Sequence, residues 1–208
     1  MIGETLPGFL AIDDSVYRAE NFDLAARHVM SPPYRPKGHQ EAIWRAIEAG
    51  VLSTTGTDHC CFTKAQKRLG HDDFTKIPNG CGGVEDRLHV LWHLGVNSGR
   101  LTLEKFVALA AANAAKAFNL WPRKGSLAVE GDADLIVLDP ERTKTLSAAT
   151  QHQNTDFSVW EGMQVKGVVV HTLARGHHVW ANGDLRAEPG AGRYLPRKPF
   201  GPAYEGPL

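Results

Sequence analysis

Cysteine is scarce in this sequence, and long apolar runs and an excess of one charge are absent. Cys60, Cys61 and Cys81 are too few for a disulfide framework and are typical of a protein from a reducing compartment. Basic and acidic side chains number 23 each, so we expect no nucleic-acid or membrane-surface partner attracted by bulk charge. No run approaches the roughly 18–20 apolar residues that span a bilayer. Because Met1–Leu10 also lacks the basic start and apolar run of a signal peptide, we expect a cytoplasmic protein.

The usual metal-binding motifs are also missing. The ten histidines include no His-x-His, and the cysteines form no Cys-x-x-Cys. His89 and His93 are four residues apart on a predicted helix, but no glutamate lies between them to act as a base, and a partly exposed helix face explains the pair equally well. A hydrolytic metal site needs at least three protein ligands, and Asp58 is the single plausible ligand that the residues themselves suggest.

The order of predicted elements indicates an α/β fold of one domain or one and a half, the range expected for 208 residues. Before Pro122 the apolar spacing predicts helices and strands, and after it a series of short β runs. The predicted helices are Asn21–Arg27, His39–Ala49, Val84–Leu94, Thr102–Ala111 and Asn113–Leu120. The predicted strands are His28–Met30, Val51–Thr57, Gly125–Val129, Ala133–Leu138, Gln164–Thr172 and His177–Ala181. Met1–Asp14 is expected to contain no helix, and Cys60–Gly83 is an irregular segment of a length that is usually functional or disordered.

Three polar residues are candidates for a site. Asp58 ends the predicted strand Val51–Thr57, the position at which α/β barrels place catalytic groups, although a loop-capping role is the commoner use of such an aspartate. Ser31 precedes two prolines and Asn79 lies between Pro78 and Gly80, so their backbone groups are held stiffly enough to meet a polar ligand. Both are equally typical of simple turn residues.

Several longer motifs, in order along nearly the whole chain, resemble the dihydropyrimidinase and D-hydantoinase family of the amidohydrolase superfamily. They are Met30–Gln40, Thr57–Cys60, Phe74–Gly80, Gly82–Glu85, Gly125–Asp139, His152–Asn154, Glu161–Gly167 and Gly190–Arg197.

The resemblance implies a (β/α)8 barrel with a small β-sandwich, and hydrolysis of a cyclic amide such as a dihydropyrimidine or hydantoin to an N-carbamoyl amino acid. It implies two zinc ions bridged by a carboxylated lysine and a hydroxide. Asp58 matches the metal-binding aspartate that takes a proton from the bridging water and passes it to the leaving nitrogen. Ser31 and Asn79 match the residues whose backbone groups hold the cyclic substrate. The resemblance also implies a homo-oligomer, a homotetramer or a dimer.

The sequence also departs from this family, because the His-x-His, the carboxylated lysine, the further histidine ligands and the substrate-orienting tyrosine are all missing. All belong to the N-terminal half of such enzymes. We therefore expect a C-terminal portion: residues 1–122 as part of the barrel, 123–187 as a β-sandwich segment and 188–208 as an extended tail rich in proline and glycine. Alone, such a fragment is expected to be inactive and to bind zinc weakly.

Three other interpretations remain open. An allantoinase or dihydroorotase would use related chemistry on other cyclic ureides. The Ser31-Pro32 and Pro78-Asn79 contexts favour a dihydropyrimidinase or hydantoinase over these two. A scaffold protein of the same fold would have lost its metal ligands, and Asp58 weighs against it. A gene-model truncation would have no role of its own.

Overall fold

The computed structural model describes residues 2–199 and 201. Its first sheet is a parallel pair made of β1 (Gly3–Thr5) and β2 (Leu52–Thr55), in which Glu4 is opposite Thr54 and Thr5 is opposite Thr55. Parallel neighbours need a long crossover connection, which here contains three α-helices and the 3-10 helix Asp14–Arg18. The carboxyl ends of both strands therefore face the same edge of the sheet, where the chain turns into the loops described below.

Within the described residues the α-helices of this part are short, and three of the seven begin at polar side-chain caps. Asn21 Oδ1 accepts hydrogen bonds from the first backbone N–H groups of α2, and Thr102 Oγ1 does so at the start of α6. The helices are α1 (Pro7–Ala11), α2 (Phe22–Ala26), α3 (Gly38–Glu48), α4 (Lys64–Lys67), α5 (Arg87–Leu91), α6 (Leu103–Val107) and α7 (Asn113–Ala117). π-helical turns continue α5 over Trp92–Val96 and join α6 to α7 over Ala108–Ala112.

The second sheet is an antiparallel meander of four strands in the order β3-β4-β5-β6. Its strands are β3 (Leu135–Thr145), β4 (Gln164–Ala174), β5 (His177–Ala181) and β6 (Asp184–Leu185). The turn Asn182-Gly183, with positive φ at both residues, connects β5 to β6. Such a turn matches the natural twist of a hairpin.

Two apolar clusters hold the chain together, and α5 contributes to both. One cluster packs Met30, Tyr34 and Val90 against Leu146 and Val165 of the sheet region. The other lies under β2 and packs Leu91 among side chains of α1, α3 and α6. Consecutive residues on a helix point about 100° apart, so Val90 and Leu91 face different clusters.

Most of the elements predicted from the sequence are present, and four predictions are wrong. Cys60–Gly83 is not irregular throughout, because Thr63 and Gln66 cap the helix α4 within it. Met1–Asp14 contains α1, because Pro7 occupies the first helical turn, where its missing N–H removes no bond. His28–Met30 forms no strand, because Val29 makes isolated loop hydrogen bonds instead of a ladder. Gly125–Val129 is an irregular segment that exposes Leu127 and Val129 almost completely.

The α/β class is confirmed. In the expected tail 188–208, the described residues form no helix or strand, and residues 200 and 202–208 lie outside the described part. No helix in the described ranges is long and apolar enough to cross a membrane.

Candidate active site

Ser31 and Asn79 are in direct contact although 48 residues separate them. The Oγ of Ser31 donates a hydrogen bond to Oδ1 of Asn79 at 3.1 Å, and both side chains are exposed. Below them, the backbone N–H of Gly80 donates to the carbonyl of Val29 at 3.0 Å. The structure thus brings two of the three predicted residues together on adjoining loops.

Asp58 lies on a third loop beside that pair. It follows β2 with a φ of +46°, a left-handed conformation that aspartate tolerates better than most residues, and its side chain is exposed. Two residues later, the N–H of Cys60 donates to the carbonyl of Cys81 at 3.0 Å, and His59 and Cys81 form a parallel bridge. The Asp58 loop is therefore attached to the chain immediately after Asn79.

His59, which is not among the candidates predicted from the sequence, holds the next loop in place. Its Nδ1 accepts hydrogen bonds from the backbone N–H groups of Gly83 at 3.1 Å and Val84 at 3.2 Å. A ring nitrogen that accepts carries no proton, so the proton of the neutral ring lies on Nε2. This arrangement orders the Gly82-Gly83 segment next to Asp58.

Lys67 is a second residue that the sequence analysis missed. Only 2% of it is exposed, and its Nζ donates to the carbonyls of Val29 at 2.8 Å and Pro78 at 2.5 Å. Burial lowers the pKa of this ammonium from its ordinary value. A capping box formed by Thr63 and Gln66 was a readable signal for the start of α4, but nothing in the pattern indicated that its last lysine is buried.

Arg87 fixes the end of β2 from behind the site. Its Nη1 donates to the carbonyl and the hydroxyl of Thr55 at 2.9 and 3.1 Å and to the carbonyl of Ala110 at 3.2 Å. Burial lowers the pKa of this guanidinium, partly offset by Glu4. The strand end that leads into Asp58 is thereby attached to the helical layer.

The described residues do not by themselves fit a complete metal centre. Within residues 2–199 and 201, no three histidine, cysteine, aspartate or glutamate side chains lie close enough together to hold a metal ion. Asp58 is one exposed carboxylate of the right chemistry, whereas a hydrolytic zinc site uses at least three protein ligands. His89 and His93 are also used elsewhere, since they accept backbone N–H groups of β4 at Val169 and Lys166.

The family assignment rests on the match of this chain to a family model. The model of the amidohydrolase family matches residues 14–186. The chain belongs to the amidohydrolase family, whose enzymes depend on metal ions, usually zinc.

Within that family the chain is similar to dihydropyrimidinases and D-hydantoinases. It is 46% identical over 199 residues to the dihydropyrimidinase of Rattus norvegicus, covering 95% of this chain and 38% of that protein. It is 44% identical over 200 residues to the D-hydantoinase of Geobacillus stearothermophilus, covering 96% and 42%. The solved D-hydantoinase of Bacillus sp. AR9 superposes with a TM-score of 0.93 at 45% identity, covering 96% of this chain and 43% of the other. The resemblance noted in the sequence is confirmed.

These matches cover nearly all of this chain but less than half of each relative. The chain spans about 40% of the length of the curated relatives, while almost all of this chain is matched. This coverage is consistent with a fragment of such an enzyme.

Proposed function

We propose that this chain forms part of an enzyme that hydrolyses cyclic amides, opening a dihydropyrimidine or a 5-substituted hydantoin to an N-carbamoyl amino acid. The observation that carries the proposal is the meeting of the loops of Ser31, Asn79 and Asp58 at the carboxyl end of β2. The names and the 40–48% identity of the relatives support the same reaction.

In this proposal the backbone groups of Ser31 and Asn79 bind the cyclic substrate. A cyclic amide or ureide presents carbonyl acceptors and N–H donors on one edge, and a backbone C=O and N–H are the matching partners. The contact between the two side chains, together with the Gly80 to Val29 hydrogen bond, keeps these loops at a fixed separation. A ligand held by such preorganised groups loses little entropy on binding.

Asp58 is proposed to contribute a carboxylate to the metal centre and to carry a proton. Amide hydrolysis needs an acceptor for the proton of water and a donor for the leaving nitrogen, and one carboxylate can serve in both steps. Two zinc ions, a carboxylated lysine and histidine ligands would complete the centre, and these protein ligands would have to come from outside the described residues. When bound, zinc would polarise the carbonyl and lower the pKa of water.

The domain boundaries remain part of the proposal: residues 1–122 as a portion of a (β/α)8 barrel, 123–187 as a β-sandwich segment and 188–208 as a tail. The parallel pair in the first part and the four-stranded antiparallel sheet in the second support this division. A homotetramer is proposed for the whole enzyme on the resemblance alone, and a cytoplasmic location on its few cysteines.

The reaction can be tested on a chimaera. Residues 1–208 would replace the matched region of the Geobacillus stearothermophilus D-hydantoinase, and the product would be assayed with dihydrouracil, hydantoin, allantoin and dihydroorotate. We expect turnover of the first two substrates. A folded, zinc-loaded chimaera that turns over none of the four would favour the scaffold alternative, and a preference for allantoin or dihydroorotate would replace the proposed substrates.

Asp58→Asn in this chimaera is expected to lower kcat by about 10²–10⁴-fold, the usual contribution of a general acid or base. Asp72→Asn is the matched control, because the side chain of Asp72 is 97% exposed and lies on the irregular segment after α4. An Asp58→Asn variant that retains full kcat would contradict the role given to this carboxylate. The 208-residue chain alone is expected to show no turnover, and turnover with stoichiometric zinc would refute that expectation.

A further inference from the structure

The ammonium group of Lys67 lies between the two loops that carry Ser31 and Asn79. It donates to the carbonyl of Val29, two residues before Ser31, at 2.8 Å, and to the carbonyl of Pro78, the residue before Asn79, at 2.5 Å. Hydrogen bonds from a charged donor are about twice as strong as neutral ones. One side chain therefore joins both loops at the level of the backbone.

The carbonyl of Val29 is shared by two donors. It accepts from Lys67 Nζ and also from the N–H of Gly80 at 3.0 Å, the residue that follows Asn79. The two loops are thus connected directly and through Lys67. Since only 2% of Lys67 is exposed, water has little access to replace its ammonium at these carbonyls.

The backbone of Lys67 is itself held on both sides. At the start of α4, Gln66 completes a capping box, and the N–H of Lys64 donates to Asp156 at 2.9 Å. Directly after the helix, the guanidinium of Arg68 donates two hydrogen bonds to Asp23, at 2.8 and 2.6 Å. A side chain that projects from such a fixed point positions its own partners accurately.

We infer that Lys67 is a positioning residue that sets the separation and orientation of the substrate-binding backbone groups of Ser31 and Asn79. This inference rests on the proposed function of those two residues. Lysine suits the task because its compact ammonium, with three donors, can bond two converging carbonyls and face the ring of Phe62, 5.4 Å from the ring centroid.

The first test measures the loops and needs no activity. Amide hydrogen exchange in residues 1–208 is compared for the unchanged chain, Lys67→Met and the control Lys64→Met, which alters an exposed lysine of the same helix. Lys67→Met is expected to accelerate exchange at Gly80 and in residues 28–31 by at least about tenfold, because opening these loops becomes easier. β4 should be unaffected, as should Lys64→Met. Unchanged exchange in the loops, or equal acceleration throughout the chain, would overturn the inference.

The second test uses the chimaera and separates substrate binding from chemistry. Because Lys67 acts on groups that hold the bound substrate, Lys67→Met is expected to raise KM about tenfold and to change kcat much less. Loss of kcat at constant KM would assign Lys67 a different role. If the unsubstituted chimaera is inactive, the proposed function fails, and the exchange measurement still decides whether Lys67 fixes the two loops.

Discussion

A buried carboxyl group should make this protein less stable as the pH rises from about 4 to 6. Asp86 is fully buried at the start of α5. Its Oδ2 accepts a hydrogen bond from Nε2 of Gln151, and its Oδ1 has no partner among the described residues. Burial raises the pKa of Asp86 to about 6, a shift that nearby Lys144 opposes and Glu85 reinforces.

The sign and the size of the effect follow from the two pKa values. Below pH 4 the group is protonated in both the folded and the unfolded chain, and its contribution is constant. Between the unfolded value of 3.8 and the folded value of about 6, the unfolded chain has lost a proton that the folded chain keeps, so the free energy of unfolding falls as the pH rises. The two pKa values differ by about two units, and each unit corresponds to about 1.4 kcal/mol, so the free energy of unfolding is lower by about 3 kcal/mol at pH 7.

Asp86→Asn should remove this loss, because the amide does not ionise and can still accept from Gln151. We expect the free energy of unfolding of the variant, relative to the unchanged chain, to rise by about 3 kcal/mol between pH 4 and pH 7. Urea unfolding followed by tryptophan fluorescence measures it. Burial lowers the pKa of His28 and of His89 to about 4, which destabilises the fold toward acid, but this contribution is common to both proteins and cancels in the difference.

Asp184→Asn is the control for this measurement, because that side chain is 75% exposed and solvent screens its charge. Its difference from the unchanged chain should stay nearly constant across the same pH range. If the Asp86→Asn difference is equally flat, or falls with pH, the reasoning from burial is wrong.

Two further substitutions test the packing by urea unfolding. Gly167→Ala should destabilise the fold by about 2–5 kcal/mol, because φ is +99° and the new Cβ would lie 2.1 Å from Trp92 Cδ1. The control Gly183→Ala has a similar φ of +108° but open space around it, and should cost about 1–2 kcal/mol. Equal losses of stability would exclude the clash with Trp92 as the cause. Leu91→Ala should lower the free energy of unfolding by about 2–5 kcal/mol, because Leu91 is completely buried. The control Leu103→Ala changes a residue that is 55% exposed and should lower it by about 1 kcal/mol or less. Similar unfolding midpoints for the two variants would contradict the assigned core.

Local patterns predicted the regular elements well. His39–Ala49 was expected to be a helix from its apolar spacing, and α3 covers Gly38–Glu48. The strand His177–Ala181 is confirmed, and the turn Asn182-Gly183 ends it, because an Asn-Gly pair fixes the end of a hairpin strand.

Long-range contacts could not be predicted in the same way. Gly125–Val129 has the composition of a strand, yet a strand requires a partner, and this segment finds none among the described residues. The neighbouring prolines and glycine make Ser31 and Asn79 candidates and the resemblance gives them a role, whereas their mutual hydrogen bond depends on a fold that joins residues far apart in sequence. Lys67 was missed for the same reason: lysine is usually exposed, and its burial follows from where two distant loops place their carbonyls.

The division of α5 between two apolar clusters has a consequence for how the chain can be cut. Val90 packs with Leu146 and Val165 from beyond residue 122, and its neighbour Leu91 packs with Leu10 and Trp44 from before it. A chain ending at residue 122 would leave one side of this helix uncovered and exposed to solvent. The boundary at residue 122 thus separates the parallel strand pair from the antiparallel sheet, but the two parts share the packing of α5. A chimaera that joins two relatives at residue 122 would therefore have to preserve the contacts of Val90.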